Sequence, residues 1–101
     1  MDKEELIRKL NSVGKAAFAT HYDLFQDYAR GVLSKEQALE ELIRRKVSND
    51  AGAAIRLGNT KLIFQAGLER EALALVASSN RVSDEARDAA REALKNSPAQ
   101  R

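Results

Sequence analysis

Between Leu6 and Tyr28 the inward-type positions of this chain repeat with helical period and without a break. Leu6, Leu10, Val13, Ala17, His21, Leu24 and Tyr28 follow one another at spacings of 4, 3, 4, 4, 3 and 4. That rhythm places them on one stripe of an α-helix and would scatter them over both faces of a strand. Ile7, Gly14, Phe18 and Phe25 widen the stripe along one edge, while Glu5, Lys9, Ala16, Asp23 and Asp27 fall opposite. The rest of the chain agrees. Its one proline is Pro98, glycine occurs five times in 101 residues, and long stretches consist of Ala, Leu, Glu, Arg and Lys, which favour helix. The expected fold is all-α: a single-domain bundle of four to five helices over residues 1–95, followed by a flexible tail at 96–101.

The first helix is expected to run from about 2 to 30, some 43 Å at about 1.5 Å per residue. Asp2 is its N-cap, and Glu4 and Glu5 sit in a first turn that favours negative charge. Gly14 weakens its middle by about 1 kcal/mol relative to alanine and marks a candidate bend. Gly31 reads as a C-terminal cap, and Ser34 with Gln37 forms a capping-box pattern that opens a second helix at about 35–46. Ala38, Leu39, Leu42 and Ile43 should face inward from it. Ser48, Asn49 and Asp50 are turn and cap residues, and a short helix should run from 50 to 57 and stop at Gly58. A central hydrophobic helix is expected over 60–79, because Leu62, Ala66, Leu73 and Val76 make one apolar stripe and Phe64, Leu68, Ala72 and Leu75 a second. Ser83 should cap a last helix at about 84–95.

Composition excludes several chemistries. With no cysteine there is no disulfide, thiol nucleophile or cysteine-ligated metal. The single histidine, His21, has Ala17, Phe18, Leu24 and Phe25 at the helical neighbour positions where an orienting carboxylate would sit, so no metal site is expected. Phosphate-cradling glycine loops and the GxSxG and HExxH motifs are all absent. Asp23 and Asp27 share a face opposite the apolar stripe, and Glu69 lies within one, where a structural ion pair with Arg56 or another arginine is the expected arrangement. No enzyme, catalytic residue or cofactor is expected. The charged N-terminus lacks a signal-peptide core and no run approaches a membrane span, so the expected location is the cytoplasm.

Two segments remain as candidate sites. Phe18, His21, Tyr22, Phe25 and Tyr28 bring four of the five aromatics and the histidine together. They read as core that extends into an interface, because a 43 Å helix would outrun so small a domain and invite a second copy to cover it, most simply as a two-fold dimer. A pocket behind them for a small molecule is a third option.

The other segment is Leu42–Lys61, where Arg44, Arg45, Lys46, Arg56 and Lys61 face only Asp50 as counter-charge. Its order of helix, VSND turn and small-residue helix resembles a helix-turn-helix, with Asn49–Arg56 as recognition helix. It departs from that motif by placing Arg45 where the residue before the turn is usually buried. The resemblance implies DNA contacts from Arg44, Arg45, Lys46, Asn49, Arg56 and Lys61. By exclusion the leading expectation is a non-enzymatic cytoplasmic protein–protein interaction module, an adaptor, immunity or accessory type of protein, forming a homodimer and binding a further protein. The alternative is a nucleic-acid-binding regulator.

Overall fold

The fold is built from corners that the sequence rhythm conceals. The computed structural model describes residues 1–96. Among these there are seven helices and no strand: α1 Lys3–Val13, α2 Lys15–Thr20, α3 Tyr22–Ala29, α4 Lys35–Arg44, α5 Asp50–Gln65, α6 Glu69–Ala77 and α7 Asp84–Asn96. The all-α class holds; the count of four to five does not. The expected tail lies outside the described residues from 97 onward, and Asn96 still belongs to α7.

The long N-terminal helix is three helices. Gly14 closes α1 by donating its N–H to the Leu10 carbonyl (2.8 Å), and its own carbonyl accepts from Phe18 as α2 begins (2.8 Å). Its backbone angles, φ 98° and ψ 116°, lie outside the regions open to L-residues, so a single glycine turns the corner. A second kink falls at His21 (φ −113°, ψ 31°). There the hydrogen bonds carry on, His21 to Ala17 and Phe25 to His21, while the axis changes direction. The driving force is burial. The molecule measures 30 × 30 × 26 Å, so a straight 43 Å rod would carry much of its apolar stripe into solvent. Folded, it buries Leu6, Leu10, Val13, Phe18, Tyr22, Leu24 and Phe25 in one core.

The central helix of 60–79 is also divided, and the short helix of 50–57 does not stop at Gly58. α5 runs through Gly58 and ends in a Schellman motif. Leu68 donates to Ile63 (3.1 Å) and Gly67 to Phe64 (3.0 Å), with Gly67 at φ 73°. The two apolar stripes read into one helix thus serve two helices that point different ways. The same motif ends α4, with Lys46 in the left-handed position at φ 60° and Val47 donating to Leu42 (2.9 Å). Asp2 accepts from the Glu5 N–H (2.8 Å), Ser34 and Gln37 form a reciprocal capping box, and Ser83 accepts from Ala86 (3.2 Å).

Packing follows from these corners. α1, α3 and α4 all lie against α5; α6 and α7 pack on each other and α2 is set against both. α2 and α3 supply Phe18, Tyr22 and Phe25, and α5 adds the fifth aromatic, Phe64, 6.2 Å from Phe18 and 5.7 Å from Tyr22 between ring centroids. Phe18 meets Tyr22 edge-on at 5.5 Å. The small face of α7 (Ala86, Ala90) lets it approach closely and is buried. No helix among the described residues is long and apolar enough to cross a membrane.

Candidate functional site

The aromatic segment is core. Phe18 and Phe25 are wholly buried and Tyr22 nearly so, which leaves only His21 and Tyr28, both half-buried, to meet anything from outside. The reason given for a dimer through this stripe, a helix that outruns its domain, has gone with the helix itself.

The basic segment is mostly engaged within the chain. Asn49 caps α5 by accepting from the Gly52 N–H (2.8 Å). Arg56 reaches back to donate to the Val13 carbonyl at the end of α1. Lys61 stands over the Tyr28 ring, 5.7 Å from its centroid, a cation–π contact. Arg44 is paired with Glu41 of its own helix. Lys46 is exposed at the C-terminal turn of α4. The proposed recognition helix is the first part of the much longer α5, and Arg56 points from it towards the α1 corner. Glu69 makes no ion pair among the described residues; its Oε1 is buried without a hydrogen-bond partner at the start of α6.

Arg45 joins the two segments. It donates from Nε to Glu41 (2.8 Å), from the guanidinium to both oxygens of Asp23 (3.3 Å each), and from Nη1 to Nδ1 of His21 (3.2 Å). Arginine has no acceptor, so the last contact needs an unprotonated Nδ1, hence a neutral imidazole. The electrostatics agree. Burial, then the Arg45 charge, lower the His21 pKa below its ordinary 6.5, against a smaller opposing pull from Asp23. For Asp23, partial burial alone would raise the carboxyl, but the Arg45 hydrogen bond, the Leu24 N–H and the nearby positive charge together leave it lowered. Glu41 is held down to about 2 by its bonds to Arg44 and then Arg45. This cluster ties α3 to α4. Each of its proton-accepting groups, Glu41, Asp23 and His21, is hydrogen-bonded to arginine. No group of three His, Asp or Glu among the described residues could hold a metal ion.

What the sequence reading missed is on the outside of α5. Ala51, Ile55, Gly58, Leu62 and Ala66 are all exposed and follow at spacings of 4, 3, 4 and 4, a stripe on the face turned away from buried Ala53, Leu57, Thr60 and Ile63. Ile55 is 58% and Leu62 44% exposed, high for large aliphatic side chains. The stripe carries no charge, and nothing lies within 4 Å of where a Cβ on Gly58 would stand. Leu62 had been assigned to an inner face of a helix starting at 60; the longer α5 rotates that assignment outward. The signal was there: the apolar residues of Asp50–Gln65 surround the helix rather than favour one side, which marks a helix covered on more than one face.

Compared with known proteins, the chain matches no family model, no curated protein and no solved structure.

Proposed function

We propose that this chain is a non-enzymatic, cytoplasmic helical interaction module whose docking face is the exposed stripe of α5, and that the occupant of that face is a second copy of the chain. The observation that carries the reading is the symmetry of the stripe. A two-fold contact must be self-complementary: residue i meets j and j meets i. If two α5 helices cross antiparallel about an axis between Gly58 and Asn59, positions whose numbers add to 117 face each other. Ile55 then meets Leu62 of the other copy, and Ala51 meets Ala66. Large meets large and small meets small, Gly58 lets the backbones approach at the axis, and no like charges are opposed on the stripe. A contact confined to one helix face, about 22 Å long, is smaller than the roughly 800 Å² per partner of a standard stable interface, so the dimer is a reversible one with a dissociation constant in the micromolar range.

The test is the solution mass by sedimentation equilibrium from roughly 1 µM to 1 mM. The mass should climb from 11.2 kDa towards twice that value, and Leu62→Glu should hold it at one chain while its helical circular dichroism stays that of the parent. A single-chain mass throughout, or a dimer that Leu62→Glu and Ile55→Glu leave intact, would overturn the proposal.

A further inference from the structure

On another side of the molecule, at the α1–α2 corner, Asn11, Gly14, Lys15, Ala16, Ala17, Arg56, Arg81 and Val82 line an open cleft of about 730 Å³. Among the described residues, three that line it are cations and none is acidic. That is unusual for this surface. The cleft at α3 and α4 sets Arg44 and Arg45 among Asp23, Asp27, Glu40 and Glu41, and the one between α3 and α7 sets Arg30 beside Asp23 and Glu92. Lys9, Arg44, Arg45, Arg87 and Arg91 each have a carboxylate partner. Lys15, Arg56 and Arg81 have none among the described residues. They come from three separate parts of the chain, so the fold assembles the positive charge rather than the local sequence.

The corner is also built around Arg56. Its Nη1 donates to the Val13 carbonyl, which fixes the guanidinium in place. It passes so close to Gly14 that a Cβ there would lie 2.7 Å from Nη1, below any normal contact. The half-buried guanidinium carries five N–H donors, of which one is used on Val13; the others have no acceptor among the described residues. An ordered cation with unspent donors, flanked by two further cations and no acid, matches the charge and hydrogen-bond demand of a phosphate group.

We infer that the Lys15–Arg56–Arg81 cleft is a binding site for a small phosphate-bearing anion, of the diphosphate or triphosphate class. Three cations gathered in one concave corner fit one short polyphosphate. The site is independent of the α5 stripe, since Arg56 lies about 120° around that helix from its centre at about 100° per residue.

The probe is inorganic pyrophosphate, titrated into the isotopically labelled full chain at low salt with amide shifts followed by NMR. Saturable shifts centred on Gly14–Ala17 and Arg81 are expected, together with a rise in the thermal midpoint. The Lys15→Gln, Arg81→Gln double variant, which leaves the buried corner untouched, should bind about tenfold more weakly. Arg56→Lys should keep the charge and lose the fork of donors, and so bind more weakly than the parent. The inference fails if pyrophosphate gives no localised shifts, if the double variant binds as tightly as the parent, or if a single-stranded oligonucleotide binds the cleft while pyrophosphate neither binds nor displaces it.

Discussion

Replacing Gly14 by alanine tests the corner on which the whole N-terminal half turns. Two costs are expected. The first is conformational: at φ 98° and ψ 116° an L-residue is strained by roughly 1–3 kcal/mol. The second is steric and electrostatic. The new Cβ would stand 2.7 Å from Nη1 of Arg56, so the flexible end of that side chain must shift and loosen its bond to the Val13 carbonyl, a charge-assisted hydrogen bond whose complete loss would cost about 1.5–3 kcal/mol. Together the loss is at least the conformational part and at most about 6 kcal/mol, a large part of the stability of a domain this size. Gly67→Ala is the control. Gly67 also has a positive φ, 73°, but nothing lies within 4 Å of its missing Cβ, so only the conformational part, about 1 kcal/mol, applies there.

Urea unfolding followed by circular dichroism separates the two. With a denaturant slope of about 1.5 kcal/mol per M, Gly67→Ala should lower the midpoint by under about 1 M and Gly14→Ala by more than that, up to about 4 M. The Arg56→Ala background isolates the second cost: there Gly14→Ala should shed most of its excess, because the guanidinium it displaces is gone. If Gly14→Ala costs no more than Gly67→Ala, or if the cost is the same with and without Arg56, the reasoning about this corner is wrong.

Two further outcomes are expected. Thr60 is completely buried and its Oγ1 has no hydrogen-bond partner among the described residues, so Thr60→Val removes an unsatisfied hydroxyl at nearly constant shape and should raise the urea midpoint, by about 1 kcal/mol of stability; a lower midpoint refutes this. Acid should destabilise the fold in two stages. His21 has its pKa lowered in the fold, so its neutral form contributes stability that is complete above the ordinary 6.5 and is lost as pH falls through the folded value. Asp23 is lowered as well and Glu41 falls from 4.5 to about 2, so their contributions have the same sign and are lost further down, Glu41's between those two values. Urea midpoints measured stepwise across the acid range should fall without a rise at any step, and Arg45→Gln should flatten the lower stage. A gain in stability on acidification from neutrality to pH 5 contradicts the assignment of a neutral His21.

The helical class and the caps could be read residue by residue because they are local. Asp2, Ser34, Asn49 and Ser83 act within three residues of themselves, and a sequence window contains the whole interaction. The corners could not be read in the same way, and Gly58 and Gly67 show why. A glycine inside a helix costs only about 1 kcal/mol, which packing on α1, α3 and α4 outweighs at Gly58. At Gly67 the end of the helix is reinforced by a next residue that folds back onto an apolar surface. Gly67 is followed by Leu68, packed against the core, whereas Gly58 is followed by Asn59, which instead hydrogen-bonds Ile55 of its own helix (3.0 Å). Between these two glycines the distinguishing signal is the residue that follows.

Gly14 was legible as a candidate bend but not as a full corner, for a different reason. The spacing from Val13 to Ala17 to His21 stays in phase across the turn, so the stripe reads as continuous although the axis does not. The case for the aromatic interface rested on that continuity. A straight first helix exposes its aromatics and asks for a dimer along them. A bent one buries them, brings His21 beside Arg45, and turns Arg56 into the brace of the bend. With the aromatics buried and most of the basic segment engaged within the chain, two surfaces are left for partners. One is the outer stripe of α5, visible only when the helix is known to pass Gly58. The other is a cleft whose cations lie at 15, 56 and 81. A chain this short keeps its fold by committing its conspicuous residues to packing, and it is the unspent side chains, Ile55, Leu62, Lys15 and Arg81, that are free to recognise something else.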